Sequence, residues 1–268
     1  MSASPSEPEP LPEGTLISHL LELRDRLLRS VIAVCIAFVP LAFYQNELFT
    51  LVAKPLIDKL PEGTSLIATS VTAPFMAPLK LTLIGALFVA MPYVLYQIWA
   101  FIAPGLYRHE KRFALPLLVS SVVLFYTGVA FAYFIVFPLM FAFFTATTPV
   151  GVKMMTDMSS YLDFALMLFL AFGVAFEVPV ATVLLVATGL VRIETLKVNR
   201  GYVILGIFIV AAILTPPDAV SQCFMAVPMW LLYEFGIVFS RILLRDKLKA
   251  RAEADAAAAR EEAAQSSK

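Results

Sequence analysis

A few carboxylates stand out in a chain otherwise built to avoid charge. Glu177 lies in Phe176-Glu177-Val178-Pro179, inside an apolar run. It falls roughly 21 Å along a helix from Asp163 at 1.5 Å per residue, which puts it deep in a membrane if that run crosses one. A charge at such a depth costs about 2.5–3.5 kcal/mol on insertion scales. The residue therefore reads as a functional group, with a proton site its simplest use, or as a carboxyl hydrogen-bonded to a neighbouring helix near the carbonyl freed by Pro179. Glu234 sits late in the last apolar run and fits a carboxylate at headgroup level. Asp218 follows Pro217 and can cap the helix that starts there or serve a binding role. Thr215, Ser221 and Gln222 cluster about the same turn. They can close a hairpin internally or receive a partner helix through hydrogen bonds in lipid.

Two more carboxylates flank apolar runs. Glu22 lies in His19-Leu20-Leu21-Glu22-Leu23-Arg24, and Glu110 in Pro104-Gly105-Leu106-Tyr107-Arg108-His109-Glu110-Lys111-Arg112. A carboxylate can hold an arginine through paired, charge-assisted hydrogen bonds. It can equally pair within its own helix, as Glu22 can with Arg26 four residues on. Other chemistry is missing. His109-Glu110-Lys111-Arg112-Phe113 fails the HExxH zinc pattern at its fifth position, and neither a G-x-S-x-G elbow nor a Walker A loop occurs. Two histidines and two cysteines leave little for metal or nucleophilic catalysis, and no cofactor is expected. Cys35 and Cys223 lie in apolar runs and read as small buried hydrophobes.

These groups must be carried by membrane helices. Apolar residues make up 60% of the 268-residue chain and the mean hydropathy is +0.85, well beyond a soluble domain. The 20 basic and 20 acidic residues cancel, which gives no reason to expect a nucleic-acid partner. Crossing the hydrocarbon takes roughly 20 apolar residues. Runs of that kind lie at about 27–44, 79–101, 113–144 and 161–188. A shorter one at 201–214 ends at Thr215-Pro216-Pro217-Asp218, where two prolines stop a helix. A further run covers 219–239. The first lacks a small-residue cleavage pattern and reads as a permanent anchor.

Charge bias chooses between one broken span and two short ones at the proline pair. With six spans and the N-terminus inside, the cytoplasm receives Arg24, Arg26 and Arg29, then Arg108, Lys111 and Arg112, then Arg192, Lys197 and Arg200, and all seven cations from Arg241 onward. Only Lys54, Lys59, Lys80 and Lys153 fall outside. Five spans would export the tail cations against the positive-inside rule. The expectation is an all-α membrane protein of six transmembrane helices, both ends cytoplasmic, with short fifth and sixth helices. Residues 1–14, rich in Pro, Ser and Glu, form a disordered arm. Residues 15–241 form the membrane domain and 242–268 a charged cytoplasmic tail.

The motifs in their order resemble the TatC family. They are His19 to Leu27, Lys54-Pro55-Leu56, Gln97-Ile98-Trp99-Ala100-Phe101 running to His109-Glu110-Lys111-Arg112, Phe172-Gly173-Val174-Ala175-Phe176-Glu177-Val178-Pro179, and Leu214-Thr215-Pro216-Pro217-Asp218 with Ser221-Gln222. The resemblance covers about 16–241. It implies the core receptor subunit of the twin-arginine translocase, a multi-pass protein of the bacterial inner membrane. That subunit binds signal peptides with paired arginines and moves folded proteins by the protonmotive force. It implies that Glu22 and Glu110 contact those arginines, with Phe101 and Arg24 at the same site. It implies a cup-shaped fold whose cavity Glu177 faces, and a dock for the single-span partners TatA and TatB at Thr215 and Gln222. Pro55 and Asp218 carry functional roles in it, and the receptor associates with itself. The competing reading is a proton-coupled small-solute transporter working through Glu177.

Overall fold

Unbroken stretches of Leu, Val, Phe and Ala leave the backbone one way to satisfy its polar groups away from water, which is to bond within its own helix. The computed structural model describes residues 14–57, 66–102, 111–149, 152, 155–215 and 218–245. Helix α1 (Gly14–Leu41) passes through one 3-10 turn, Ala42–Tyr44, into α2 (Gln45–Ile57). Then come α3 (Ala73–Ile102) and α4 (Lys111–Phe131), the latter continued by a π segment, Ala132–Val136, into α5 (Phe137–Thr147). They are followed by α6 (Met158–Ala175), α7 (Val178–Ala187), the short α8 (Ile193–Val198), α9 (Arg200–Leu214) and α10 (Ala219–Leu243). Five stretches are long and apolar enough to span a membrane: Ile17–Pro55, Ala73–Ile102, Leu115–Thr147, Met158–Ala187 and Ala219–Leu243. With the apolar α9 they make six candidate spans. The fifth span is short, at 15 residues. The sixth is not: α10 has 25 residues, because Asp218 starts it cleanly after the prolines and it continues past Phe239 to Leu243.

The fourth span, expected as one run, is divided. The helix stops at Ala175 and restarts at Val178, with Phe176 and Glu177 in the turn between. Pro179 explains the break, since it lacks an N–H and its ring crowds the preceding turn. The Glu177 amide bonds to the Val174 carbonyl three residues back at 3.0 Å. Prolines elsewhere free carbonyls that neighbouring helices use. Pro55 releases the Leu51 carbonyl, which accepts from the Tyr133 hydroxyl at 2.8 Å. Pro92 releases the Phe88 carbonyl, which accepts from the Tyr126 hydroxyl at 2.8 Å. Each bond turns an unsatisfied backbone group, costly in lipid, into an interhelical tie.

Helix α3 is the hub. It packs against α1, α2, α4 and α6, while α4 crosses α6, and α10 packs on both α7 and α9. The core between them is aromatic and sulfur-rich, with Phe125, Phe137, Phe172, Met140 and Met225 fully buried. Two crossings depend on glycine. A Cβ at Gly128 of α4 would sit 2.5 Å from the Phe172 carbonyl oxygen of α6. One at Gly236 of α10 would sit 3.0 Å from Pro179 Cα of α7. Large apolar side chains such as Ile36, Phe134 and Ile213 point outward, as lipid-covered faces require. Cys35 and Cys223 are exposed as well, contrary to the burial expected. An apolar run in a membrane helix is covered by lipid as readily as by protein, so apolar neighbours in sequence do not imply a core position.

Candidate functional site

Two polar centres emerge, and α3 touches both. The first lies where α1 begins and α3 ends. His19, Glu22 and Arg26 recur at helical spacing and share one face of α1. Gln97 and Phe101, four apart on α3, meet them. The Glu22 Oε1 accepts from Arg26 Nε at 2.9 Å and Nη2 at 2.6 Å. Arg26 is braced by a donation from Nη1 to Gln97 Oε1 at 3.4 Å. The His19 ring stacks on Phe101 with centroids 4.3 Å apart and planes 20° apart. Glu22 and Phe101 thus belong to one cluster. Arg24 is turned away, exposed and bonded to Asp25 at 2.9 Å. Glu110 lies outside the described residues. Glu22 stands out by its residue type and place and Phe101 by the family resemblance, while Gln97 and His19 carry no role in the sequence. The shared spacing of His19 with Glu22, and of Gln97 with Phe101, was the signal that carried them.

The second centre is the break between α6 and α7. The Glu177 carboxyl lies beside the Ser121 side chain of α4. Its Oε1 is buried with no hydrogen-bond partner among the described residues. Ser121 is itself buried and accepts from Trp99 Nε1 of α3 at 3.2 Å. Trp99 is two residues from Phe101, so the last turns of α3 reach both centres. A serine in an apolar run ordinarily bonds its own helix, as neighbouring Ser120 does to the Leu117 carbonyl at 2.8 Å, and nothing in the sequence distinguishes Ser121 from that case.

The remaining residues, Glu234 apart, fall at the other end of the bundle. Asp218 caps α10, its Oδ1 accepting from the Ser221 amide at 2.7 Å. Gln222 Nε2 donates to the Phe208 carbonyl at 2.9 Å, tying α10 to α9. Thr215 Oγ1 donates to Ala211 at 2.8 Å. The polar group at this turn closes the α9–α10 hairpin internally, and Ser221 Oγ stays buried without a partner among the described residues. Pro55 lies in the last turn of α2. Nearby, Asp157 caps α6 by accepting from the Ser160 amide at 2.9 Å and also accepts from the Thr69 hydroxyl at 2.8 Å. These donors, the Ser160 amide foremost, hold its carboxyl well below the usual carboxylate range. Glu234, expected at headgroup level, pairs with Arg200 at 2.7 Å. Between α6, α7, α9 and α10 lies a cavity of about 660 Å³, walled by apolar side chains such as Val174, Val178, Ile207 and Met229.

Comparison with known proteins places this arrangement. A model of the family "Sec-independent protein translocase protein (TatC)" matches residues 18–228. The TatC protein of Azotobacter chroococcum is 57% identical over 92% of this chain and 96% of its own length. That of Escherichia coli K12 is 54% identical over 84% of this chain and 88% of its own. The fold matches a crystal structure of the twin arginine translocase receptor TatC with a TM-score of 0.76 and 38% identity, over 84% of this chain and 98% of that one. With six apolar helices in the same arrangement and the family match running from α1 into α10, the chain belongs to the TatC family of Sec-independent protein translocase proteins and is a multi-pass membrane protein.

Proposed function

We propose that this chain is the receptor of a twin-arginine translocase, and that Glu22, with Glu110, takes the paired arginines of a signal peptide at the cytoplasmic face. One observation carries the reading. In a member of a translocase family, a half-exposed carboxylate stands beside an aromatic platform where α1 begins and α3 ends. Carboxylate and aromatic face are the two surfaces a guanidinium binds best. The cation bias puts this end, and both termini, in the cytoplasm. Residues 1–14 are then an arm, 15–241 the membrane domain and 242–268 a cytoplasmic tail. TatA and TatB dock on the α9–α10 hairpin about Thr215 and Gln222, with Asp218 and Pro55 supporting that end, and copies of the receptor associate in the complex. Glu177 faces the concave side of a cup, and the protonmotive force drives transport. Helix α9 spans about 22 Å at 1.5 Å per residue, against about 30 Å of hydrocarbon. Local thinning there lowers the barrier to a hydrophilic cargo.

The solute-transporter reading is less well supported. The cavity beside the Glu177 turn is walled by apolar groups and offers a polar solute few partners. The test is photocrosslinking from positions 22 and 110 to signal peptides bearing Arg-Arg or Lys-Lys. Crosslinks should form with Arg-Arg and fade with Lys-Lys, and a Glu22→Ala, Glu110→Ala double variant should lose the peptide while keeping its fold. Full peptide binding by that variant would overturn the assignment.

A further inference from the structure

We propose that His19 is a placeholder for the guest arginine: its imidazole rests on Phe101 where the peptide's guanidinium stacks once bound, and this shared face selects a flat cation over an ammonium. The inference rests on the receptor reading above and adds to it the residue that sets arginine against lysine.

First, Glu22 is half committed. Its Oε1 holds both Arg26 Nε and Nη2, and Gln97 braces Arg26 from α3. A carboxylate offers about four lone-pair sites, so Oε2 remains for a guest. Second, Oε2 accepts no hydrogen bond among the described residues, and the imidazole stands over it without binding it. His19 Nδ1 is 3.9 Å from Glu22 Oε2, beyond hydrogen-bond range. Third, the imidazole lies on Phe101 with its plane only 20° from the ring's, a face-to-face arrangement in which the protein supplies the platform and the occupant supplies a flat, nitrogen-bearing plate.

A group that replaces it has to cover the Phe101 face and present N–H donors in its own plane toward Oε2. A guanidinium does both at once. A lysine ammonium is a compact, strongly hydrated point charge. It can reach the oxygen but has no plane to lay on the ring. The imidazole is easy to displace, because the His19 side chain is 56% exposed and leaves no buried polar group behind. Arg26 and Gln97 then act as positioning residues, since Arg26, braced by Gln97, holds Oε1 and leaves Oε2 to the guest.

Affinities of fluorescent signal peptides with Arg-Arg or Lys-Lys, measured on the full-length protein in detergent, test this. His19→Ala should bind the Arg-Arg peptide about three- to tenfold tighter, because nothing has to leave Phe101. His19→Phe should bind it more weakly than the wild type, because an apolar ring gives up the Phe101 face less readily than an imidazole that water can receive. Phe101→Leu should bring Arg-Arg down toward the Lys-Lys level. Unchanged or weaker Arg-Arg binding by His19→Ala would overturn the placeholder while leaving the receptor reading intact. Glu22→Ala serves as the separate control: if it keeps full Arg-Arg binding, the receptor reading itself fails, whatever His19 does.

Discussion

Glu22 and Glu177 are carboxylates of one chain in opposite circumstances. Glu22 sits at the start of α1, half-exposed, with a guanidinium from its own helix and an aromatic pair beside it. Glu177 sits in a helix break on a span, with one oxygen buried and unpaired among the described residues and the Ser121 hydroxyl of another helix beside it. The contrast separates recognition from placement. A group that must exchange partners with a visitor is built where water can help the exchange. A group held away from water depends on how closely its neighbours pack. Disturbing the two regions should therefore give different signatures.

The largest effect should come from the crossing that holds the Glu177 turn. Gly128 lies against the Phe172 carbonyl and the Phe176 ring, and a Cβ there meets both at under 3.0 Å. Gly128→Leu should force α4 from α6 and destabilise the protein by about 3 kcal/mol, the upper end for overpacking. Thermal unfolding in detergent would measure it. The α1–α3 end should still bind an Arg-Arg peptide in whatever fraction folds. If binding is lost along with stability, the two regions are one unit and the contrast fails.

Next is the hydroxyl itself. Ser121→Ala removes the hydroxyl beside Glu177 and the acceptor of the Trp99 indole. Leaving such groups unsatisfied costs about 2 kcal/mol, and transport of a folded reporter should fall while peptide binding at Glu22 stays unchanged. Ser121→Thr should restore transport, since it keeps the hydroxyl. A third carboxylate, Asp157, lies between the extremes. It is exposed yet fully engaged by neutral donors that favour its charged form. Its stabilising contribution is fully present above the unfolded-state value of about pH 4 and drains away as pH falls through its lowered folded-state value. Wild type and Asp157→Ala should differ in melting temperature by a constant, smaller amount from pH 8 to 5. They should converge only in stronger acid. A gap that closes near neutrality would contradict this account.

The six apolar runs, the short fifth span and the cap at Asp218 were legible because each is set by chain-local physics: length in lipid, proline chemistry, a polar side chain before a helix. The break at Phe176-Glu177 was less so. Pro179 was visible, but a proline near a glutamate does not say whether the helix bends, stops or restarts. The sixth span ran longer than expected because only Pro217 bounded it and no breaker marked its far end. Trp99 and Ser121 were out of reach altogether, since they meet only when α3 lies on α4. The cluster at Glu22 came halfway. Its periodicity was readable on α1 and on α3, but that Gln97 braces Arg26, and that His19 covers Phe101, required the two helices side by side.

The smallest effect marks the limit of the comparison. Glu234 is also a carboxylate near a span end, and it is paired with Arg200 across α9 and α10. It resembles Glu22 in geometry, but among the described residues no stacked ring pair like His19 on Phe101 stands beside it to give up a face. Ion pairs between solvent-accessible groups contribute little because water screens them and two long side chains lose freedom, so Glu234→Gln should change stability by about 0.5 kcal/mol or less. It should leave Arg-Arg peptide affinity unchanged, since a carboxylate without a stacking face has no reason to prefer a guanidinium. The decisive measurement is peptide affinity in parallel with Glu22→Ala. If Glu234→Gln weakened binding as much, proximity of a carboxylate to the membrane surface would suffice for recognition, and the platform at Phe101 would lose its place in the explanation.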